Sequence, residues 1–373
     1  MEMKASRYIM IGGFLGAGKT TAVAALAGYL RDKGLRVGLI TNDQGRELVD
    51  TAMLRSLGFA TEEISGGCFC CRFASLMEAA ESLTTATAPD IILAEPVGSC
   101  TDLVATVTYP LRRIYGDRFA IAPLSVLVDP LRAQRVLGLA EGANFSEKVI
   151  YIYRKQLEEA DVIVISKCEL LEAAALAELE AKLRSEFPHA EVISVSSRLG
   201  SGLQDWFEDL LNEEQVARRA MEMDYEIYAD GEALLGWLNA SVRLTAASEI
   251  EAGELLPALA RAMQWRLQAV GAQIAHLKMT LSPDESIGGA IAVINLVRND
   301  FVPELSLELE EPFMGADLII NLRAEAPSEQ LAVVLGDSLA EIREQGVASG
   351  LQVTMQHLEH FQPGKPTPTH RDA

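Results

Sequence analysis

Two groups of residues in this chain have the types and spacing to do chemistry. The first is Gly13-Phe14-Leu15-Gly16-Ala17-Gly18-Lys19-Thr20, which fills every position of G-x-x-x-x-G-K-[ST]. An apolar stretch precedes it and a helix-period stretch follows. In that context glycines let backbone N–H groups wrap a β-phosphate without Cβ obstruction. The start of the helix adds its dipole, Lys19 reaches the β- and γ-phosphates, and the Thr20 hydroxyl ligates Mg²⁺. Gly13, Gly16, Ala17, Gly18, Lys19, Thr20 and Thr21 are the expected phosphate-binding residues. The second group is Gly66-Gly67-Cys68-Phe69-Cys70-Cys71-Arg72. Three thiols in four positions form a soft donor set suited to Zn²⁺, Co²⁺ or Cu⁺. If the segment is extended, adjacent side chains point to opposite sides, so Cys68 and Cys70 pair better than Cys70 and Cys71. Arg72 is expected to favour the thiolate form. Three thiolates leave a tetrahedral ion one ligand short, and water, a carboxylate such as Asp43 or a partner's ligand could supply the fourth. Buried structural cysteines and a redox pair are the competing readings.

Other residues are placed around the phosphate loop by strand ends. Glu95, in Asp90-Ile91-Ile92-Leu93-Ala94-Glu95-Pro96-Val97-Gly98, ends an apolar run and is the expected second Mg²⁺ carboxylate. Asp43, in Thr41-Asn42-Asp43-Gln44-Gly45, competes for that role and could also position the attacking water. Lys19, Asp43 and Glu95 are thus the candidate catalytic residues. Ser166-Lys167-Cys168-Glu169 follows Val162-Ile163-Val164-Ile165. It stands where guanine-specific proteins carry N-K-x-D, so Lys167 can lie along the base and Glu169 can accept from it. Ser196, in the next loop, is expected to close over the base. Serine for asparagine and glutamate for aspartate leave ATP open beside GTP.

These loops need a rigid frame. Apolar runs at Tyr8–Gly12, Arg36–Thr41, Asp90–Glu95, Ala120–Val128, Asp161–Ser166 and Glu191–Val195 alternate with helix-period stretches such as Thr20–Lys33, Leu171–Phe187 and Leu203–Leu211. Continuous Ile/Val/Leu strands between amphipathic helices predict an α/β fold, a parallel sheet with helices on both faces, over residues 1–211. The charged run Asn212–Asp224 marks a boundary. Beyond it, residues 224–361 read as a smaller α+β domain, with strands at Trp237–Thr245, Gln273–Leu281, Ala290–Val297, Glu304–Leu309, Asp317–Arg323 and Leu351–Leu358. Its clear helices are Ala252–Gly271 and Ser328–Gly346. Proline-rich Gln362–Ala373 is expected to be a disordered tail.

Composition narrows the function class. The 373 residues carry a formal net charge of −21, from 32 basic and 53 acidic residues, and no basic stripe is visible. Nucleic acid is therefore not an expected partner. No apolar run reaches the roughly 20 residues of a membrane span, and the expected location is cytoplasmic. Five cysteines, three of them clustered, make a poor disulfide framework and point to metal or redox work in a reducing compartment.

Taken in order, the GGFLGAGKTT loop, the C-x-C-C element, the E-P-x-G strand end and the degenerate guanine motif resemble the CobW-like metal-chaperone GTPases. These are relatives of the GTPases that insert nickel into urease and hydrogenase. The resemblance covers about residues 6–211 and implies GTP hydrolysis coupled to transition-metal binding. It implies that Lys19 and Thr20 serve phosphate and Mg²⁺, that Glu95 serves Mg²⁺ through water, and that Lys167 and Glu169 serve the base. Cys68, Cys70 and Cys71 then hold Zn²⁺ or Co²⁺ for a client metalloprotein or corrinoid protein, and a nucleotide-dependent homodimer belongs to the same expectation. Asn42-Asp43-Gln44-Gly45 departs from the family's usual N-E-F-G, and residues 224–373 carry no share of the resemblance. The alternative is an ATP-driven activator of a corrinoid or metalloenzyme partner, with structural cysteines. A small-molecule kinase ranks below both, because no arginine-rich lid is visible.

Overall fold

The computed structural model describes residues 5–42, 49–285 and 289–372. The chain divides into two compact units. One comprises Met1–Gln44, Phe59–Gly231 and Lys365–Ala373, and the other Gly45–Gly58 and Glu232–Gly364.

The first unit is built on β1 (Ser6–Gly13), β2 (Val37–Asn42), β3 (Ala60–Ile64), β4 (Ile91–Glu95), β5 (Phe119–Ile121), β6 (Ser125–Val128), β7 (Val162–Ile165) and β8 (Glu191–Ser194). Every pairing among them is parallel, in the order β3-β2-β4-β1-β6-β7-β8, with β5 also on β1. The expected strand Ala120–Val128 is thus two short ones. Pro123 lies between them, and a proline cannot donate to the ladder. Strands β4, β6 and β7 are buried at every residue, so the sheet is covered on both faces, as the continuous apolar runs predict. The crossovers carry α1 (Lys19–Asp32), α3 (Phe73–Thr87), α4 (Tyr109–Tyr115), α5 (Pro130–Val136), α6 (Glu147–Glu159) and α7 (Ala173–Glu186). Helices α8 (Leu203–Asn212) and α9 (Tyr225–Leu234) follow β8. Helix α1 buries Ala22, Val23, Leu26, Ala27 and Leu30, one stripe at helical spacing.

The charged run 212–224 is not a loose linker. Gln215 donates its amide to the Ile121 carbonyl at 2.9 Å and its side chain to Asp161 at 2.7 Å. Arg218 reaches the Ala160 carbonyl at 2.9 Å. The first unit therefore continues past residue 211. The tail, for which the proline content argues disorder, also differs. Its residues 365–372 form neither helix nor strand, yet they lie hydrogen-bonded on the first unit. The reason is side-chain chemistry that a composition argument does not weigh. Arg371 pairs with buried Asp102 at 2.7 Å, and Asp372 pairs with Arg113 at 2.6 Å.

The second unit is an antiparallel sheet in the order β12-β11-β10-β13-β9-β14, as its alternating strands predict. The strands are β9 (Leu235–Ile250), β10 (Gln273–Pro283), β11 (Ala292–Leu296), β12 (Glu304–Leu307), β13 (Phe313–Glu325) and β14 (Gln352–Phe361). Helices α10 (Ala252–Ala269) and α11 (Ser328–Gln345) pack on the face bearing Leu238, Ala240, Val242, Leu318, Ile320 and Leu322. The other face buries polar residues. Arg323 lies 4.0 Å from the Trp237 ring centre and donates to Asn239 at 2.7 Å. Helix α2 (Val49–Ser56) adds its Val49 amide to Asn321 and an Asp50–Lys278 ion pair.

Candidate nucleotide and metal site

All the expected site residues that the structure describes belong to the first unit, in loops at the carboxyl edge of the parallel sheet, where ligands of open α/β sheets bind. Gly13 ends β1 at φ 126°, and a Cβ there would lie 2.3 Å from the Leu127 carbonyl oxygen, so only glycine passes. From Gly13 to Gly18 every carbonyl is tied down. Lys19 Nζ donates to Gly13 O at 2.9 Å and Phe14 O at 3.3 Å. Arg132 donates to Leu15 O at 2.8 Å, Lys167 to Gly16 O at 2.9 Å and Ser166 to Ala17 O at 2.7 Å. The Ala22 amide takes Gly18 O at 3.0 Å and opens α1, whose first turn holds no acid to oppose its positive end.

Thr20 donates its hydroxyl to Glu95 Oε1 at 2.9 Å, and both side chains are buried. The two residues expected at Mg²⁺ are thus adjacent, although they come from α1 and the end of β4. Thr21 is exposed on α1. Asp43 lies outside the described residues.

Lys167 sits in the left-handed region at φ 49°, between the phosphate loop and Asp129, whose carboxylate is 3.1 Å from its Nζ. Asp129 also caps α5, accepting from the Arg132 amide at 3.1 Å. Sequence reasoning passed over both Asp129 and Arg132. The signal for Asp129 was a helix-capping pattern, an aspartate before Pro130 at the end of an apolar run. Glu169 is half-buried, and its Oε2 is out of solvent with no hydrogen-bond partner among the described residues. An acceptor left in that condition suits a base that brings N–H donors. Ser196 is fully buried and staples its own turn by accepting from the Leu199 amide at 3.0 Å.

The cysteines do not lie in an extended segment, and that expectation is corrected. The Cys71 and Arg72 amides both donate to Cys68 O, at 3.1 and 2.9 Å, so the chain turns and all three sulfurs converge. Cys68 and Cys70 sulfurs are 3.0 Å apart, Cys68 and Cys71 3.2 Å, Cys70 and Cys71 3.7 Å. Gly67, at φ 152°, makes room for Arg72, whose side chain carbon would sit 3.0 Å from a Cβ there. Arg72 Nε donates to Gly66 O at 3.3 Å, and the shifts of the thiols come from the sulfurs themselves instead. Hydrogen bonds with Cys100 first, then Cys70 and Cys71, hold Cys68 well below the ordinary thiol value. The same contacts push Cys70 well above it, and the bond with Cys68 leads in pushing Cys71 up to about 11.

Asn42, at the end of β2, ties this turn to the sheet. Its Nδ2 donates to Ile64 O at 3.0 Å and Gly67 O at 2.7 Å, and its Oδ1 accepts the Phe69 amide at 3.0 Å. On the outer side runs the tail. Thr369 donates its amide to Cys70 O at 2.8 Å and its hydroxyl to Cys71 O at 3.1 Å. The Thr367 amide donates to Cys71 Sγ at 3.3 Å, and the His370 ring stands edge-on to Phe73 at 5.0 Å.

The donor set fits a soft cation. Zinc–thiolate bonds of about 2.3 Å in a tetrahedron set sulfurs ~3.8 Å apart. The Cys70–Cys71 pair is already at that spacing, and the distances from Cys68 to its two partners have to lengthen by ~0.8 and ~0.6 Å.

A parallel sheet with a filled phosphate-loop motif at the end of its central strand defines a P-loop nucleotide-binding protein. Residues 7–194 match the family described as CobW/HypB/UreG, nucleotide-binding domain, and the chain belongs to that family. It is 30% identical over 167 residues to the zinc chaperone YeiR of Escherichia coli, a match covering 44% of this chain and 47% of that protein. To the zinc chaperone CobW of Pseudomonas aeruginosa it is 27% identical over 221 residues, 51% of this chain and 56% of that one. The chain thus spans about half the length of the curated relatives it matches. Among solved structures, HypB from Helicobacter pylori in complex with nickel aligns with a TM-score of 0.43 and 19% identity, over 58% of this chain and 93% of that one. Among the described residues no helix is long and apolar enough to cross a membrane.

Proposed function

We propose that this protein is a GTP-hydrolysing metallochaperone that carries a transition metal on Cys68, Cys70 and Cys71 and hands it to a client metalloprotein. The observation that carries the reading is the convergence of three thiols within 4.8 Å of one another in the unit that holds the phosphate loop. In this reading the loop Gly13–Thr20, with Thr21, cradles the phosphates, and Lys19 neutralises charge on the β- and γ-oxygens. Thr20 and Glu95 hold Mg²⁺, which supplies further neutralisation there. Lys167 lies along the base, Glu169 accepts from its N–H groups, and Ser196 shapes the loop beside it. Asp43 orients the attacking water.

Zinc is the favoured cargo, because the curated relatives above are named zinc chaperones and three thiols suit it, with Co²⁺ as the other candidate. Asn42 supports coupling, since one side chain links the end of β2 to the cysteine turn. Turnover without a client is expected at ~10⁻² s⁻¹ or below, as for unassisted GTPases. The test is a Co²⁺ titration of the reduced protein with Mg-GTP and with Mg-GDP, read by thiolate charge-transfer and d–d absorbance. A tetrahedral thiolate spectrum that saturates at lower Co²⁺ with GTP is expected. If neither nucleotide gives a thiolate spectrum, the cysteines are structural and the ATP-driven activator takes its place.

A further inference from the structure

Two of the three converging cysteines are out of solvent, Cys68 at 5% exposure and Cys70 at 1%. Cys71 is half-buried, and the tail of the same unit crosses the turn there. The tail's sequence suits that position. In Lys365-Pro366-Thr367-Pro368-Thr369-His370-Arg371-Asp372 the two prolines fix their own φ and hold the residue before each in extended backbone. Proline has no N–H, so Thr367 and Thr369 carry the only amides of residues 366–369, and both donate to the turn. Thr367 gives its amide to Cys71 Sγ at 3.3 Å, and Thr369 gives its own to Cys70 O at 2.8 Å. Thr369 Oγ1 adds a bond to Cys71 O at 3.1 Å.

Two residues further on, the run is latched. Arg371 Nε donates to Asp102 Oδ2 at 2.7 Å, and its Nη2 reaches Asp102 Oδ1 at 3.4 Å and Met221 O at 2.9 Å. Asp102 is 1% exposed, stands at φ 64° and also accepts the Tyr225 hydroxyl at 2.6 Å. Beside it the Asp372 amide donates to Ala105 O at 2.8 Å, and the Asp372 carboxylate pairs with Arg113 at 2.6 Å. A buried carboxylate grips its cation, because losing it leaves a charge out of solvent without its partner. The tail is thus anchored at Asp102 by charge and laid over Cys70 and Cys71 by amide and hydroxyl bonds.

We propose that residues 365–372 form a gate over the metal site, latched by Arg371 on Asp102, which lifts for the ion to enter or leave. This rests on the metallochaperone reading and deepens it by naming what controls exchange. An N–H donor on a sulfur leaves other lone pairs for an ion, so the gate stays closed on a loaded site. The ligands set how tightly the cargo is held, and the gate sets how fast it moves. Exchange through a local opening of this kind scales with the fraction of molecules that are open.

The test compares the full wild-type chain with two latch variants, each loaded with zinc and mixed with an excess of chromophoric chelator in stopped flow. Asp102→Asn keeps the side chain's shape and tolerates the left-handed backbone, and it removes the latch's negative charge without burying another. Arg371→Gln removes the other half. Both are expected to speed zinc uptake and zinc transfer to the chelator by ~10-fold or more, with zinc affinity held within ~3-fold. GTP binding is expected to be unchanged, which reports that each variant is folded. Alkylation of Cys71 in the metal-free protein, read by peptide mass spectrometry, is expected to quicken as well. Wild-type rates of transfer and alkylation in both variants overturn the gate and leave the metal site standing. Faster release at an unchanged uptake rate also overturns it, because the tail then belongs to the site's grip. A wild-type chain that takes up no zinc removes the metallochaperone reading, and the gate's cargo with it.

Discussion

The phosphate loop and the cysteine turn both sit at the carboxyl edge of one sheet and both depend on positive-φ glycines, yet they are held in opposite ways. Around the phosphate loop, Lys19, Arg132, Ser166 and Lys167 come from three elements to fix successive carbonyls. The protein's own side chains thus hold the loop's shape, and preorganisation of this kind lowers the cost of binding. The cysteine turn is fixed at its base by one side chain, Asn42, and its three sulfurs converge within 4.8 Å of one another. The difference teaches that the phosphate loop is held from several elements at once, whereas the cysteine turn hangs on a single side chain at the end of β2.

The largest effect expected is at the phosphate loop. Lys19→Ala removes the side chain that ties the Gly13 and Phe14 carbonyls and is proposed to reach phosphate, and a loss of ~100-fold or more in triphosphate hydrolysis is expected. Wild-type turnover in that variant would remove the phosphate-loop assignment. Next, Glu169→Gln replaces a charged acceptor with an amide. Discrimination of GTP over ATP is expected to fall ~10-fold or more, measured by competition binding. Equal preference before and after would free Glu169 of any role in base choice.

The cysteine turn is expected to respond on its own. Cys70→Ser lowers metal affinity by at least ~10-fold and leaves nucleotide affinity unchanged, a pairing that isothermal titration can read in one preparation. Asn42→Ala sharpens the contrast, because it strips three bonds from the base of the turn. A stability loss of ~1–3 kcal/mol in urea unfolding is expected, with weaker metal binding and an intact phosphate loop.

A pH effect is expected at the loop that Glu159 braces through Thr101 and Val104. Burial, then the nearby Asp102, raises Glu159 from 4.5 to about 8. A carboxyl whose folded value is raised stabilises the fold fully below its unfolded value, and this contribution is lost as pH rises through the folded one. Stability is therefore expected to decline between about pH 4.5 and 8, and Glu159→Gln should flatten that stretch of the profile. An identical slope in the variant would assign the decline to other groups.

How much of this was legible depended on sequence distance. Gly13–Thr20 carries its motif, its strand and its helix within a few turns of chain, and it folds as read. The second unit's strands were legible from alternation, as in Leu238, Ala240 and Val242 facing the helices. The charged run at 212–224 misled, because Gln215 and Arg218 find their partners far back in the chain, at Ile121, Ala160 and Asp161. Asp129 meets Lys167 across 38 positions, and neither motif mentions the other. The turn at Cys68–Arg72 was local, but its direction follows from Gly66, Gly67 and Asn42 acting together, which a rule for extended chain does not contain.

The tail over the cysteines has a consequence for biosynthesis. Thr367 and Cys71 are 296 residues apart, and all of Glu232–Gly364 is translated before the segment that lies on the sulfurs. At about 5–20 residues per second, that interval lasts ~15–60 s. The thiols thus leave the ribosome early and lack their tail contacts while the rest of the chain is made. A nascent chain offers them to metal, or to oxidants, before the finished protein does.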